Sequence, residues 1–143
     1  MRLLASTDFA LRILMMLGQR PAGETVNVAT LAQSLGGLSR NHLHKIVQDL
    51  AALGIVHTIR GVGGGVTLAK APRAVRIGAL VRALESDQPL VECFRADHGC
   101  CTLDPGCRLR PMLKKARERF YETLDGYTLA DCLSGASHRA ILA

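Results

Sequence analysis

The sequence predicts a mainly α-helical fold with one small β-hairpin. Apolar residues recur every three or four positions in several separate segments, which is the pattern of helices with one buried face. One stretch, residues 55–69, alternates instead around a glycine-rich centre and is typical of two short strands. The 143 residues include no Trp and only 3% aromatic residues, so the core must be built from aliphatic side chains and Met. That composition favours small helices over a β-sandwich.

Two helices are predicted in the N-terminal part of the chain. The first is expected to start at Ser6–Thr7–Asp8, whose side chains are typical of helix starts, and to end near Gly18 or Arg20. Its apolar face comprises Phe9, Ala10, Ile13, Leu14 and Leu17. A turn and a short strand over 25–27 follow. Asn27 is expected to cap a second helix, which Gly36 and Gly37 end.

The third predicted helix runs from Ser39, its expected N-terminal cap, to a stop at Gly54. Its buried stripe is Leu43, Ile46, Val47 and Leu50. Two helices of this length joined by a Gly-containing turn make a helix-turn-helix. The hairpin that follows has predicted strands over 55–60 and 65–69, and we interpret it as the wing of a winged helix-turn-helix.

The glycine-rich segment "GVGGGV" has a rival interpretation as a phosphate-binding loop. A dinucleotide-binding fingerprint needs a glycine where this chain has Val66, and it needs a long helix directly afterwards. A tight hairpin that requires positive φ angles explains the glycines better. Arg60, at the base of this hairpin, is then well placed to reach a DNA minor groove.

Three parts are predicted along the chain: a winged helix-turn-helix over residues 1–85, a cysteine-rich loop over 86–108, and a long helix with a C-terminal tail over 109–143. The first part includes a fourth helix within residues 75–87. The long helix carries an apolar stripe spaced by three and four residues: Leu109, Met112, Leu113, Ala116, Phe120 and Leu124. Because this helix extends beyond the compact head, we expect its stripe to cover the first helix or a second copy of the chain.

The charge of the chain points to an anionic partner. The formal net charge of +6 suits nucleic acid or an acidic membrane surface. No apolar run approaches the roughly 20 residues that a membrane-spanning helix needs. Asp8 and Arg12 interrupt the apolar N-terminal segment, and no small-residue cleavage site follows it. We therefore expect a cytoplasmic protein that does not associate with a membrane.

The third helix leaves polar side chains outward that match the chemistry of double-stranded DNA. Arg40 suits guanine through two donors, and Asn41 or Gln48 suits adenine. Lys45 better suits a phosphate. A merely solvated face is the alternative, but the combination of helix-turn-helix, wing and positive charge favours DNA binding. The predicted DNA-binding residues are Ser39, Arg40, Asn41, His42, His44, Lys45, Gln48, Arg60 and Gly63.

Four of the five cysteines lie within residues 93–107. In a reducing cytosol such a cluster favours metal binding or redox sensing over a structural disulfide. Cys100 and Cys101 are adjacent, so one of them is expected to be spare beside Cys93 and Cys107. The Cys-x2-Cys pair of a zinc ribbon is missing. Three dispersed thiolates suit an iron-sulfur cluster that takes its last ligand from elsewhere.

Other interpretations of the cysteines remain open. His98 is a weaker candidate ligand than the thiolates, and Cys132, beyond the long helix, is predicted to be a buried and inert thiol. A zinc-stabilised or thiol-based redox element is the alternative to a cluster. A redox enzyme that uses Cys100 and Cys101 is disfavoured, because no Cys-x-x-Cys motif or general base accompanies them. We therefore expect no enzymatic activity.

Six segments carry a resemblance to a known family over nearly the whole chain. They are "STDFALRILMML", "SRNHLHKIVQDL", "RGVGGGVTLA", "IGALVRALE", "VECF" and "LADCL". Together they make the chain similar to the NsrR/IscR family of winged-helix iron-sulfur repressors. The third-helix and "ECF" segments resemble the nitric-oxide-sensing members of that family more than the others.

The resemblance implies a homodimer on palindromic promoter DNA, with the third helix in the major groove and the wing in the minor groove. It also implies a cluster held by Cys93, Cys101 and Cys107, of the 4Fe–4S rather than the 2Fe–2S type, with Cys100 as an alternative ligand. In nitric-oxide-sensing members an acidic residue near the N-terminus of the other subunit can be the remaining ligand, and Asp8 matches that position. The implied function is a repressor whose operator affinity falls when nitric oxide damages the cluster. The alternatives are an iron-sulfur or redox- or thiol-responsive regulator of the same fold and a zinc-stabilised protein that binds DNA constitutively.

Overall fold

The computed structural model describes residues 2–36, 38–61, 63–97, 99, 101–103 and 106–133. Within them the predicted mainly helical fold with one hairpin is confirmed, and two 3-10 turns, Pro72–Ala74 and Glu92–Phe94, connect the elements. No helix in these ranges combines the length and the apolar character that crossing a bilayer requires. The elements are α1 (Ala5–Gly18), α2 (Val28–Ser34), α3 (Arg40–Ala52), β1 (Val56–Ile59), β2 (Gly65–Leu68), α4 (Ile77–Leu84), α5 (Leu109–Asp125) and α6 (Leu129–Leu133).

The start of α1 is held by a tertiary contact rather than by the polar side chains that the sequence offers. The helix begins at Ala5, and the residue before it, Leu4, makes no side-chain cap. Instead the backbone N–H of Leu4 donates to the carboxylate of Glu85 at 2.9 Å. Thr7 points into the core, and Phe9, predicted on the buried face, is only half-buried. The carboxylate of Glu85, distant in sequence, thus accepts the hydrogen bond at the helix start that was expected of the side chains of Ser6–Thr7–Asp8.

The helix-turn-helix forms as predicted. The side chain of Asn27 accepts a hydrogen bond from the backbone N–H of Ala29 at 2.7 Å, and Ser39 accepts one from His42 at 3.4 Å. These two caps satisfy backbone donors that would otherwise be unpaired at the starts of α2 and α3. The predicted stripe of α3 is buried throughout: Leu43, Ile46, Val47 and Leu50.

The wing is an antiparallel hairpin of β1 and β2, in which Val56 faces Leu68 and Ile59 faces Gly65. Positive φ angles were expected at the glycines of this hairpin, and Gly63 has a φ of 77°. Gly65 has another reason. A Cβ atom there would collide with the carbonyl group of Val26, which pairs with Val66 on the other side of β2. The short strand predicted over 25–27 is therefore reduced to this single bridge.

Close packing between α4 and α5 defines the C-terminal half of the fold. A Cβ atom at Gly78 of α4 would collide with the backbone carbonyl of Tyr121 on α5. Tyr121 is buried although it was absent from the predicted stripe, whereas Leu109 and Met112, which were in the stripe, are 58% and 63% exposed. The helix therefore packs its second half on α4 and presents apolar side chains from its first half.

The last described element, α6, was not predicted as a helix. The backbone N–H and the hydroxyl of Thr128 both donate to Oδ2 of Asp131 at 2.7 Å. These hydrogen bonds, the side-chain one first, lower the pKa of the Asp131 carboxyl. Leu129 is fully buried, and Leu133 lies close enough to Gly18 that a Cβ atom there would be 2.6 Å from its Cδ1. Residues 129–133 thus close the core against α1.

The substitution Gly78→Ala should destabilise the fold. Helix propensity alone would make it stabilising by about 1 kcal/mol, but the collision with Tyr121 should reverse the sign and cost about 1–3 kcal/mol. Urea unfolding measures the difference. The control is Gly106→Ala, where the nearest atom to a new Cβ is 3.9 Å away and the backbone is unstrained. A stabilised Gly78→Ala variant would contradict the close packing.

The anchoring of α6 should weaken in acid. The folded state depresses the pKa of Asp131, so its contribution to stability is present above the ordinary carboxyl pKa of about 4 and is lost as the pH falls through the depressed value. Amide hydrogen exchange over residues 129–133 reports this loss. Asp131→Asn, which retains an acceptor but does not titrate, should lack the acid-dependent step. The same step in that variant would assign it to another group.

Candidate DNA interface and cysteine segment

The predicted DNA-binding residues of α3 are all exposed. Because the apolar stripe of this helix is buried in the core, the polar side chains on its other side face solvent. The exposed set is Ser39, Arg40, Asn41, His42, His44, Lys45 and Gln48, together with Arg60 and Gly63 on the wing. The fold therefore presents the whole predicted set to solvent.

A groove of about 420 Å³ lies between α3 and the wing. His44 and Gln48 line it from α3, and Arg60 lines it from the end of β1. Side chains from the helix and from the wing thus share one concave surface. Asn27 and Thr58 line the same groove. The sequence interpretation missed both, because it treated Asn27 only as a helix cap and Thr58 only as a strand residue.

Two local contacts shape this surface. The ammonium group of Lys45 lies 2.8 Å from the carboxylate of Asp49, one helical turn further on, and the lysine side chain is 71% exposed. An exposed pair of this kind is weak, so Lys45 can exchange it for a phosphate. On the wing, the hydroxyl of Thr25 donates to the carbonyl of Gly63 at 3.2 Å. This bond fastens the hairpin tip to the segment before α2.

The cysteine segment, residues 86–108, carries three half-buried free thiols, Cys93, Cys101 and Cys107. Cys100 and His98 lie outside the described residues. Within the described ranges, no three or more His, Cys, Asp or Glu side chains converge closely enough to hold a metal ion. Free, soft thiols on one segment fit an iron-sulfur cluster by donor chemistry, but the segment would have to draw them together.

The backbone of this segment already folds back on itself. Gly99, with φ of 60°, lies so close to Glu92 that a Cβ atom would be 2.6 Å from its Cγ. The carboxylate of Asp97 accepts hydrogen bonds from the backbone N–H of Gly99 at 3.1 Å and from the guanidinium of Arg95 at 3.0 and 2.9 Å. The chain just before Cys101 therefore returns to the turn that contains Cys93. The sequence interpretation gave Gly99 no role.

A cavity of about 360 Å³ adjoins Cys93 and is rich in cations. Four of its lining residues come from α5, which has no acidic residue in its first turn. The lining residues are Cys93, Phe94, Arg95, Arg110, Pro111, Lys114 and Arg117.

Asp8 lies in the first turn of α1 and is paired with Arg12, with Oδ2 and Nη2 2.8 Å apart. Half of its side-chain surface remains exposed, so the carboxylate is open to a second subunit. Cys132 was predicted to be buried, and this is wrong: the residue is exposed at the end of α6. Desolvation of its sulfur, which lies 3.6 Å from the carbonyl of Thr128, and the nearby Asp131 still raise the pKa of the Cys132 thiol.

The chain is similar to transcriptional regulators of known type. Residues 3–135 match the model of the Rrf2 family, described as an iron-dependent transcriptional regulator. The HTH-type transcriptional regulator NsrR of Geobacillus kaustophilus is 46% identical over 143 residues, which cover 99% of this chain and 97% of the relative. NsrR of Bacillus licheniformis is 41% identical over 138 residues, 96% of each chain.

A solved structure agrees with these matches. CymR, the global cysteine regulator of B. subtilis, superposes with a TM-score of 0.72 at 26% identity, over 94% of this chain and 97% of that one. The predicted family resemblance and the predicted winged-helix fold are both confirmed.

Proposed function

The chain belongs to the Rrf2 family of iron-dependent transcriptional regulators, and from that premise we propose that it is a homodimeric, nitric-oxide-responsive repressor whose grip on promoter DNA depends on an iron-sulfur cluster. Membership makes it a transcriptional regulator and not an enzyme, as the sequence predicted. The observation that carries the proposal is the groove in which His44, Gln48 and Arg60 meet between α3 and the wing.

The dimensions of α3 suit the major groove. Its 13 residues make a rod about 20 Å long, and a major groove about 12 Å wide admits a helix. Arg40, Asn41 and Gln48 would then face base edges, while Lys45 would meet a phosphate. Arg60 lines the protein groove between α3 and the wing, and from there it would approach the flanking minor groove of the DNA.

Two copies of the chain would bind two half-sites about 34 Å apart. The side chains that support dimerisation are three exposed apolar ones, Leu109 and Met112 in the first turn of α5 and Leu103 in the segment before it, each more than half exposed. Covering these side chains with a second copy of the chain would remove apolar surface from water, which is the main driving force of association.

In this proposal Cys93, Cys101 and Cys107 hold the cluster, with Asp8 of the partner subunit as the fourth ligand and Cys100 as an alternative to Cys101. A 4Fe–4S cluster is preferred over 2Fe–2S. The resemblance of the sequence to nitric-oxide-sensing family members, together with relatives named NsrR, supports a cluster that responds to nitric oxide. Such a cluster supplies an iron atom that a small diatomic molecule can reach. The chain's own part is to keep the thiols together and to let the cysteine segment relax when they are released.

A charge-matched pair of variants tests the DNA interface. On a duplex selected by the protein from a random pool, Gln48→Ala should weaken binding by about 1–3 kcal/mol and relax base preference at one position. Arg60→Ala should weaken binding to all sequences and reduce the slope of log K against log salt by about 0.9. Arg119→Ala removes the same charge from an exposed site on α5, outside the groove, and should change neither. Equal effects at Arg60 and Arg119 would remove the wing from the interface.

Metal content and operator affinity test the sensor. Anaerobically purified protein should contain iron and sulfide and absorb visible light, and Cys93→Ser and Cys107→Ser should lose both. Cys132→Ser, the matched control, should retain them. Nitric oxide should weaken DNA binding about tenfold or more, since about 1.4 kcal/mol of coupling suffices for a factor of ten. Colourless protein that contains zinc and binds DNA equally before and after nitric oxide would contradict the proposal.

A further inference from the structure

An arginine of α5 holds the turn that carries Cys93. The guanidinium carbon of Arg117 lies 4.9 Å from the centre of the Phe94 ring, and Phe94 follows Cys93 within the 3-10 turn Glu92–Phe94. A guanidinium over an aromatic face is attracted by the ring's electrons, and the planar group matches the ring in a way that an ammonium does not. The turn is therefore joined to α5 through the side chain of Phe94.

Partial burial distinguishes Arg117 from an ordinary surface cation, since only 28% of its side-chain surface is exposed. Its Nε atom is inaccessible to solvent and has no hydrogen-bond partner among the described residues. The nearest carboxylate oxygen, on Glu118, is 3.8 Å away, too far for a hydrogen bond. A buried N–H without a partner is unfavourable, and the contact of the guanidinium with Phe94 is a favourable interaction that offsets part of this cost.

The contacts of Arg117 continue to α4. Glu118, its neighbour in sequence, accepts a hydrogen bond from Arg82 of α4, and the Arg82 guanidinium lies 4.5 Å from the centre of the Tyr121 ring. The hydrogen bond with Arg82 lowers the pKa of Glu118, and the same bond raises the pKa of Arg82. A continuous set of contacts, which we name the arginine relay, thus runs through Phe94, Arg117, Glu118, Arg82 and Tyr121.

The relay ends on an element that is part of the DNA-binding head. On its other face α4 buries Leu80 and Val81 in the same core that holds the stripes of α1 and α3. At its end, Glu85 holds the start of α1 through Leu4. A displacement of the Cys93 turn that moves Arg117 would therefore reach α4 and, through the shared core, the helix that faces DNA.

We propose that Arg117 is a positioning residue that clamps the Cys93 turn to α5 and, through the arginine relay, couples the state of the cysteine segment to α4. The clamp is a property of the polypeptide itself. The coupling rests on the proposed function, because it concerns the difference in DNA binding between cluster-loaded and metal-free protein.

The clamp is tested in reduced, metal-free protein by the alkylation rate of Cys93, followed by peptide mass spectrometry. Alkylation rates are compared at a pH high enough that the rate no longer changes with pH. A difference in the thiolate fraction between variants then does not affect the comparison. Phe94→Leu and Arg117→Lys, which both keep the charge, should each raise the rate about threefold or more. The double variant should exceed the single ones by little, because both remove the same contact. Arg119→Ala on the same helix should leave the rate unchanged.

A wild-type rate in Arg117→Lys would overturn the clamp, because it would show that charge alone is sufficient. Additive effects in the double variant would also overturn it, because they would mean that the two side chains act separately. Circular dichroism and urea unfolding of each variant exclude general unfolding as the source of a faster rate.

The coupling is tested by the ratio of DNA dissociation constants between metal-free and cluster-loaded protein. This ratio should fall about threefold or more in Arg117→Lys and in Glu118→Gln, with iron content per chain unchanged. Wild-type ratios in both variants would overturn the coupling. A wild-type protein whose ratio is one would instead refute the proposed function, and the alkylation experiment would still decide the clamp.

Discussion

The close contact of α4 with α5 is the constraint on which the rest of the structure depends. At Gly78 the two helices approach so closely that no side chain fits between them, and on its opposite face α4 buries Leu80 in the common core. The helix is therefore packed on both sides. It joins the winged head, which contains α3, to the long helix α5. Residues of α5 line the cationic cavity beside Cys93. Closely packed helices move as units rather than deform gradually, so a shift of α5 against α4 would be transmitted to the head.

Apolar burial, and not ion pairing, holds this arrangement together. Each fully buried aliphatic side chain, such as Ile13 or Leu43, contributes roughly 1.5–3 kcal/mol relative to exposure. Ion pairs on the surface contribute about 0–1 kcal/mol each, and the pairs Lys45–Asp49 and Arg119–Glu122 are of this exposed type. Charged groups of the chain are consequently available for other partners. On α3 and the wing those partners would be phosphates and base edges, whereas on α5 the guanidinium of Arg117 is committed to the ring of Phe94.

Local sequence patterns predicted what depends on local physics. The caps Asn27 and Ser39, the buried stripe of α3 and the hairpin follow from spacing and residue type, and the structure confirms them. Features that depend on distant contacts could not be predicted in this way. Glu85 replaces the expected polar start of α1, and Gly65 is required by the backbone of Val26. For the candidate site, the residues of α3 and Arg60 were predictable, but their meeting in one groove was not. The predicted burial of Cys132 failed because apolar neighbours in sequence do not guarantee cover in space.

The two candidate functional surfaces differ in how firmly they are built, and this difference suits their proposed tasks. The α3 surface rests on a buried stripe and two satisfied caps, so it presents its side chains on a rigid support, as recognition of base edges requires. Among its described residues, the cysteine segment has a 3-10 turn, a returning backbone at Gly99 and an aromatic contact to α5. None of these described residues between 87 and 108 is buried, and low burial goes with low local stability, so the described part of the segment can rearrange at small cost while the head stays folded. A sensor needs this asymmetry: the part that meets the signal must have two accessible arrangements, and the part that reads DNA must have one. Arg117 lies at the boundary between the two, where a change in the first is carried to the second.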